Sequence, residues 1–331
     1  MDRLMIGVER LPGPYGWFYV GLALLGCGLH TGVKWWEGSY SVGQLNPFHL
    51  VFSATLAYVL WLVHYLTREA LGALDVLRPS TKLSDSEYSN IRYQMQNASG
   101  LRTLLGSLLG AGFGILYSLL LASRPDSGLF GSRASLMVDS TIAIVTFFVL
   151  GGTVYRALHL LRLVIYLYGY WVQTDLLKPQ PLYALSSVGA RAAVAMLLYV
   201  NAFVLAVPGG LANPGVLGVY SLIVVLALMV AITPLWGAHR KLILEKRQMQ
   251  EGVNERLKIA MAELYRRVDN QAMTDMDNLN KTFLSIEVSK NNIERASTWP
   301  WHPDTPRLLL TATLLPLMVW LAQRVLGRIG V

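Results

Sequence analysis

Six histidines are spread along the 331-residue chain: His30, His49, His64, His159, His239 and His302. One of them stands in a group with chemical meaning. Arg156, His159 and Arg162 recur at i, i+3 and i+6, which places them on one helix face. Two guanidinium groups around an imidazole suit an anion or a lipid phosphate. A second basic group, Arg240, Lys241, Lys246 and Arg247, suits the same anionic headgroups at a membrane surface. The other histidines fall near expected helix ends and read as interfacial polar residues. Asn201 falls in mid-span and needs an interhelical hydrogen-bond partner. Asp139 lies close to the outer end of its span. No acidic residue stands at mid-membrane, where ion-coupled transporters often carry one.

The usual catalytic and binding signatures are missing. There is no His-Glu-x-x-His, no phosphate-binding loop, and no glycine fingerprint for a dinucleotide. There is no nucleophile elbow and no potassium filter. The one cysteine, Cys27, excludes an intrachain disulfide and a multi-cysteine zinc site. The residues therefore give no reason to expect an enzyme, a cofactor or a bound metal.

The elements that carry these residues are membrane helices. The chain is 53% hydrophobic and 15% charged, with mean hydropathy +0.42. A soluble domain carries about 25% charged residues. Here the charges collect in a few stretches, separated by apolar runs of about 18–24 residues, enough to cross a hydrocarbon core of roughly 30 Å. Net charge is +8. That excess fits cytoplasmic membrane loops, and no nucleic-acid motif accompanies it.

Seven spans are expected, over 15–32, 48–66, 101–122, 137–155, 184–207, 215–236 and 307–325. Asn46-Pro47, Asn213-Pro214 and Thr305-Pro306 each offer a capping side chain followed by a proline at the first helical position. With the N-terminus inside, 23 of the 28 Lys and Arg fall on the cytoplasmic side, and the C-terminus lies outside. The stretch 156–172 reads as a continuation of the fourth helix; as an eighth span it would invert everything after it. Leu-Ala-Leu-Leu-Gly-Cys, ending at Cys27, has the look of a lipoprotein cleavage box, but Pro12 and Pro14 disturb the region before it and it reads as a first membrane helix that contains Gly26-Cys27. Gly106, Gly110 and Gly114 form a small-residue ridge for close helix packing. Ser84 and Glu87 make a capping box for a short helix in the loop 68–100.

Three regions follow: a six-span bundle over 1–236, a cytoplasmic helical hairpin over 237–297, and an elbow with the last span over 298–331. In the first hairpin arm Leu242, Met249, Val253, Leu257, Met261, Leu264 and Val268 lie mostly three or four apart. In the second, Ala272, Met276, Leu279, Phe283, Ile286, Lys290 and Ile293 step as a heptad seam. Asp269-Asn270-Gln271 is the natural turn. The second arm must stop at the membrane, and Trp299-Pro300-Trp301, Pro303 and Pro306 do this: each proline drives the residue before it out of the helical region, and the tryptophans anchor the chain at the interface. Pro316 then kinks the last helix. The elbow either transmits motion between the hairpin and the last span or only positions that span.

Trp-Pro-Trp, a further proline and the run LLLTATLLPLMVWLAQRVL resemble the C-terminus of an uncharacterised family of prokaryotic multi-pass membrane proteins. The resemblance covers about 35 residues and implies no activity and no site residue. The expected protein is thus an all-α bundle of the plasma membrane. The leading reading of its role is a scaffold or sensor acting through the hairpin, with anionic lipids, a cytoplasmic protein or a second copy as partners. An oligomeric ion channel comes second, on the strength of the glycine-rich span and the kinked last helix. A transporter ranks lower.

Overall fold

The computed structural model describes residues 2–81, 83–122, 133–170, 180–207, 214–271, 276–301 and 304–329. These form ten α-helices: α1 (Asp2–Glu9), α2 (Gly16–Trp36), α3 (Pro47–Leu77), α4 (Asp85–Gln96), α5 (Gly100–Ala122), α6 (Arg133–Tyr170), α7 (Gln180–Ala206), α8 (Pro214–Asp269), α9 (Met276–Arg295) and α10 (Asp304–Ile329). Among the described residues, seven helices are long and apolar enough to cross a membrane, and each overlaps one of the seven expected spans. The stretch 156–170 continues α6 without a break. Cys27 sits inside α2 and donates its thiol hydrogen to Leu50 O at 3.3 Å.

The local signals act as their chemistry requires. The Asn46 side chain accepts from Phe48 N, and Pro47 opens α3. Ser84 and Glu87 bond reciprocally at the start of α4. Pro214 opens α8, while Asn213 lies outside the described residues. The last helix begins at Asp304, so Pro306 lies within its first turn and not at its first position. Prolines 234 and 316 both sit inside helices.

The second half of the fold is a hairpin. α8 runs for 56 residues, so the sixth span and the first arm are one helix. Asn270 and Gln271 turn the chain, with Gln271 in the left-handed region at φ 54°. α9 returns along α8 with the expected seam inward: Met276, Leu279, Phe283, Ile286 and Lys290 are half-buried and Ile293 is buried. Ala272 lies outside the described residues. On the first arm Leu242 and Val253 are buried, and Met249, Leu257 and Leu264 half-buried. Met261 and Val268 are exposed instead, and Ala260 takes the inner place. A helix turns 3.6 residues at a time, and α8 does not follow the strict heptad over its last turns.

At the hairpin base one apolar core joins six helices. Leu74 and Leu77 of α3, Met95 of α4, Leu167 of α6, Val188 of α7, Leu235 and Leu242 of α8, and Ile293 of α9 all belong to it. The elbow closes over this core. Trp299 stacks on His239 with ring centroids 4.1 Å apart, and on Trp301 at 4.7 Å. His239 Nδ1 meets Thr298 O at 2.9 Å, and Pro300 is buried. Pro303 lies outside the described residues. Trp299→Ala is expected to cost about 2 kcal/mol by removing a half-buried indole and both stacks, read as a lower thermal midpoint in detergent.

Pro316 has no N–H to give to Ala312 O, four residues earlier. Asn201 Nδ2 donates to that carbonyl at 2.7 Å, and Tyr220 OH donates to the neighbouring Thr313 O at 2.6 Å. The mid-span asparagine thus meets its interhelical need at the backbone that the proline frees. Asn201→Leu should lower stability by about 1 kcal/mol, and restoring an N–H with Pro316→Ala in the same chain should recover part of the loss.

Candidate functional site

The ionisable residues that come together lie at the end of the bundle away from the hairpin. α2 brings His30 and Lys34, one turn apart. α3 brings His49 and Ser53, also one turn apart. α6 brings Asp139 from its second turn. All are buried: His30 and Lys34 are 1% exposed, and His49 and Asp139 are 5% exposed. α2 and α3 can approach closely because Gly26 faces Ser53 O, where a Cβ would sit 3.2 Å away.

Asp139 is the centre. Lys34 Nζ donates to Oδ2 at 2.8 Å. His30 Nε2 lies 2.6 Å from Oδ1. His30 Nδ1 is held by Ser53 Oγ at 2.5 Å. The imidazoles of His30 and His49 stand 4.8 Å apart. His49 Nδ1 bonds Tyr40 OH at 2.6 Å, and Tyr40 OH also accepts from Asn46 Nδ2 at 3.0 Å. Asn46 Oδ1 caps α3, so the orientation of its amide is fixed by the helix start. Burial pushes the Tyr40 hydroxyl up from its usual pKa, which keeps it a neutral donor and acceptor. A cleft of about 10 Å³, close to the room one water needs, lies between His49, Asp139, Phe48, Phe52 and Tyr117.

Charges buried in membrane spans are expensive and tend to mark functional positions. A carboxylate with a lysine and an imidazole within contact can exchange one cation for another: a proton, an ammonium or a metal ion. His30, His49 and Asp139 offer one inward atom each, and these atoms lie within 4.8 Å of one another.

The residues singled out by their spacing lie elsewhere. Arg156 is 3% exposed and donates to Gln96 O at 2.7 Å; His159 Nε2 meets Gln94 O at 3.1 Å. Both serve the C-terminal carbonyls of α4, where a helix end favours cations. Lys246 Nζ donates to Glu294 O and Ala296 O at the end of α9, and Lys241 Nζ to Gly169 O near the end of α6. Arg240 lies over the Trp236 ring at 6.0 Å. Arg162 and Arg247 face outward. Gly106, Gly110 and Gly114 of α5 are covered by α6: a Cβ on Gly106 would meet Gly151 O at 2.9 Å, and one on Gly114 would meet Ile144 Cα at 2.8 Å.

His30, Lys34, His49 and Asp139 did not stand out in the sequence as a group. The available signal was the i, i+4 pairing of His30 with Lys34 and of His49 with Ser53, on apolar helices that offer few other polar residues. Compared with protein-family models, curated proteins and solved structures, the chain matches none.

Proposed function

We propose that the chain is a membrane sensor in which the charged cluster at one end sets the state of the hairpin at the other. The carrying observation is continuity. α3 runs unbroken from His49 to Leu77, and α6 runs unbroken from Asp139 to Leu167; both end in the core that holds Val253 and Ile293 of the hairpin. Two rigid rods thus meet at the charged cluster at one end, where His49 and Asp139 lie together, and in a packed core at the other. A change in the cation held by Asp139 shifts α3 against α6, and the hairpin base rests on both. The excess of Lys and Arg at the hairpin end supports a cytoplasmic hairpin and a charged cluster facing outward. The exposed apolar residues Ile259, Tyr265, Leu284 and Val288 on the hairpin support a protein partner or a second copy as its target. The oligomeric channel is the weaker reading, because the glycine face that would line a pore is filled by α6.

The test uses the full chain in lipid nanodiscs with Cys27→Ser as background. Spin labels at Ser89 and Glu255, introduced as cysteines, report the distance between α4 and the hairpin. His49→Gln and the paired change Lys34→Met with Asp139→Leu are expected to shift that distance distribution. An unchanged distribution in folded, monodisperse protein would overturn the reading.

A further inference from the structure

One ligand atom from each of His30, His49 and Asp139 lies within 4.8 Å of the others, and His30 Nε2 stands 2.6 Å from Asp139 Oδ1 while His49 Nε2 is buried with no hydrogen bond among the described residues. Each belongs to a side chain whose other polar atom is already fixed. Ser53 Oγ holds His30 Nδ1, Tyr40 OH holds His49 Nδ1, and Lys34 Nζ holds Asp139 Oδ2. That is how metal ligands are oriented: the distal ring nitrogen is bonded to a neighbour, which selects the tautomer and aims the proximal nitrogen inward. Tyr40 and Ser53 can both accept from Nδ1–H, leaving each Nε2 lone pair free to coordinate.

We propose that these three atoms bind one divalent transition-metal ion, zinc or an ion of similar preference. Two imidazoles and one carboxylate suit zinc, cobalt or iron(II). They do not suit calcium or magnesium, which call for an oxygen-rich shell. Three protein ligands leave one position of a tetrahedral site, and the water-sized cleft beside His49 and Asp139 can hold the ligand that fills it. In the metal-bound state His30 is the neutral Nδ1–H tautomer, and an imidazolium proton on Nε2 would leave to solvent as the ion binds. The inference rests on the sensor reading only for its consequence, since it names the cation to which the charged end responds.

Purified full-length protein in nanodiscs, freed of metal with a chelator, is titrated with Co²⁺ and then Zn²⁺. Expected is one equivalent of Co²⁺ with the visible absorption of a four-coordinate nitrogen and oxygen site, displaced by Zn²⁺. His30→Gln and His49→Gln each lose at least about tenfold in affinity. His64→Gln, on the same α3 helix but bonded to Tyr19 and Glu9 at the other end, keeps it. Absence of the absorption band, or equal binding by the His49→Gln protein once shown folded by gel filtration, overturns the site. The same samples carry the spin labels described above. Co²⁺ binding with a motionless hairpin supports the metal site and overturns the sensor reading. A hairpin that moves in the His49→Gln chain, while the chain that keeps both histidines binds no Co²⁺, does the reverse.

Discussion

Asp139→Leu alone is expected to lower stability by about 3–5 kcal/mol, the usual cost of breaking a buried ion pair by removing one member. The reason is Lys34. Its ammonium is 1% exposed and donates to Asp139 Oδ2 at 2.8 Å. Leucine removes the carboxylate that the ammonium donates to, and His30 Nε2 loses the carboxylate oxygen 2.6 Å away. Lys34→Met alone should cost a similar amount by stranding the carboxylate. The double change, Lys34→Met with Asp139→Leu, should cost far less than the two together, because replacing both members of a buried pair by apolar groups is often close to neutral. The measurement is a double-mutant cycle of thermal unfolding in one detergent, followed by tryptophan fluorescence. Additive losses would mean that the two groups do not interact.

Gly110→Val carries the second large effect. A Cβ at Gly110 would fall inside the Phe147 carbonyl, with Gly151 Cα only 3.1 Å away. Neither obstacle is a flexible side-chain tip; both are backbone of α6. The two helices must therefore separate along the whole glycine face, and the expected cost is about 3 kcal/mol or more. Gly112 is the matched control. It lies two residues away on the exposed side of α5, where a Cβ meets nothing within 4 Å. Gly112→Val should change stability by no more than about 0.5 kcal/mol. Equal losses from the two changes would show that valine's helix propensity, and not helix contact, is responsible.

What could be read along the chain was what one helix declares about itself. Apolar length marked the seven spans, Asn46 and Ser84 marked two helix starts, and Asp269-Asn270-Gln271 marked the turn. The heptad from Met276 to Ile293 declared its inner face because every member lies on one helix. The charged cluster could not be read this way. Lys34 and Asp139 are 105 positions apart, and each taken alone is an ordinary polar residue near a span end. Their meaning comes from α2, α3 and α6 meeting, which is a tertiary fact. Arg156 and His159 are the opposite case. Their spacing does put them on one face, but that face meets the open end of α4, whose carbonyls take both. Asn201 lay between these cases: its need for a partner was legible, and its partner, the carbonyl released by Pro316, was not.

The unbroken course of α8 has a mechanical consequence. From Trp236 to Asp269 the helix extends about 50 Å beyond its span, at about 1.5 Å per residue. A rod of that length works as a lever whose short arm is embedded among α6, α7 and α9. Tilting the span by about 5° sweeps the tip through about 4 Å, more than a side chain's width, for a shift at the base smaller than a hydrogen bond. Gain of this kind is set by length alone. Shortening both arms of the hairpin by the same number of helical turns would leave the charged cluster and the base core intact and reduce the stroke in proportion.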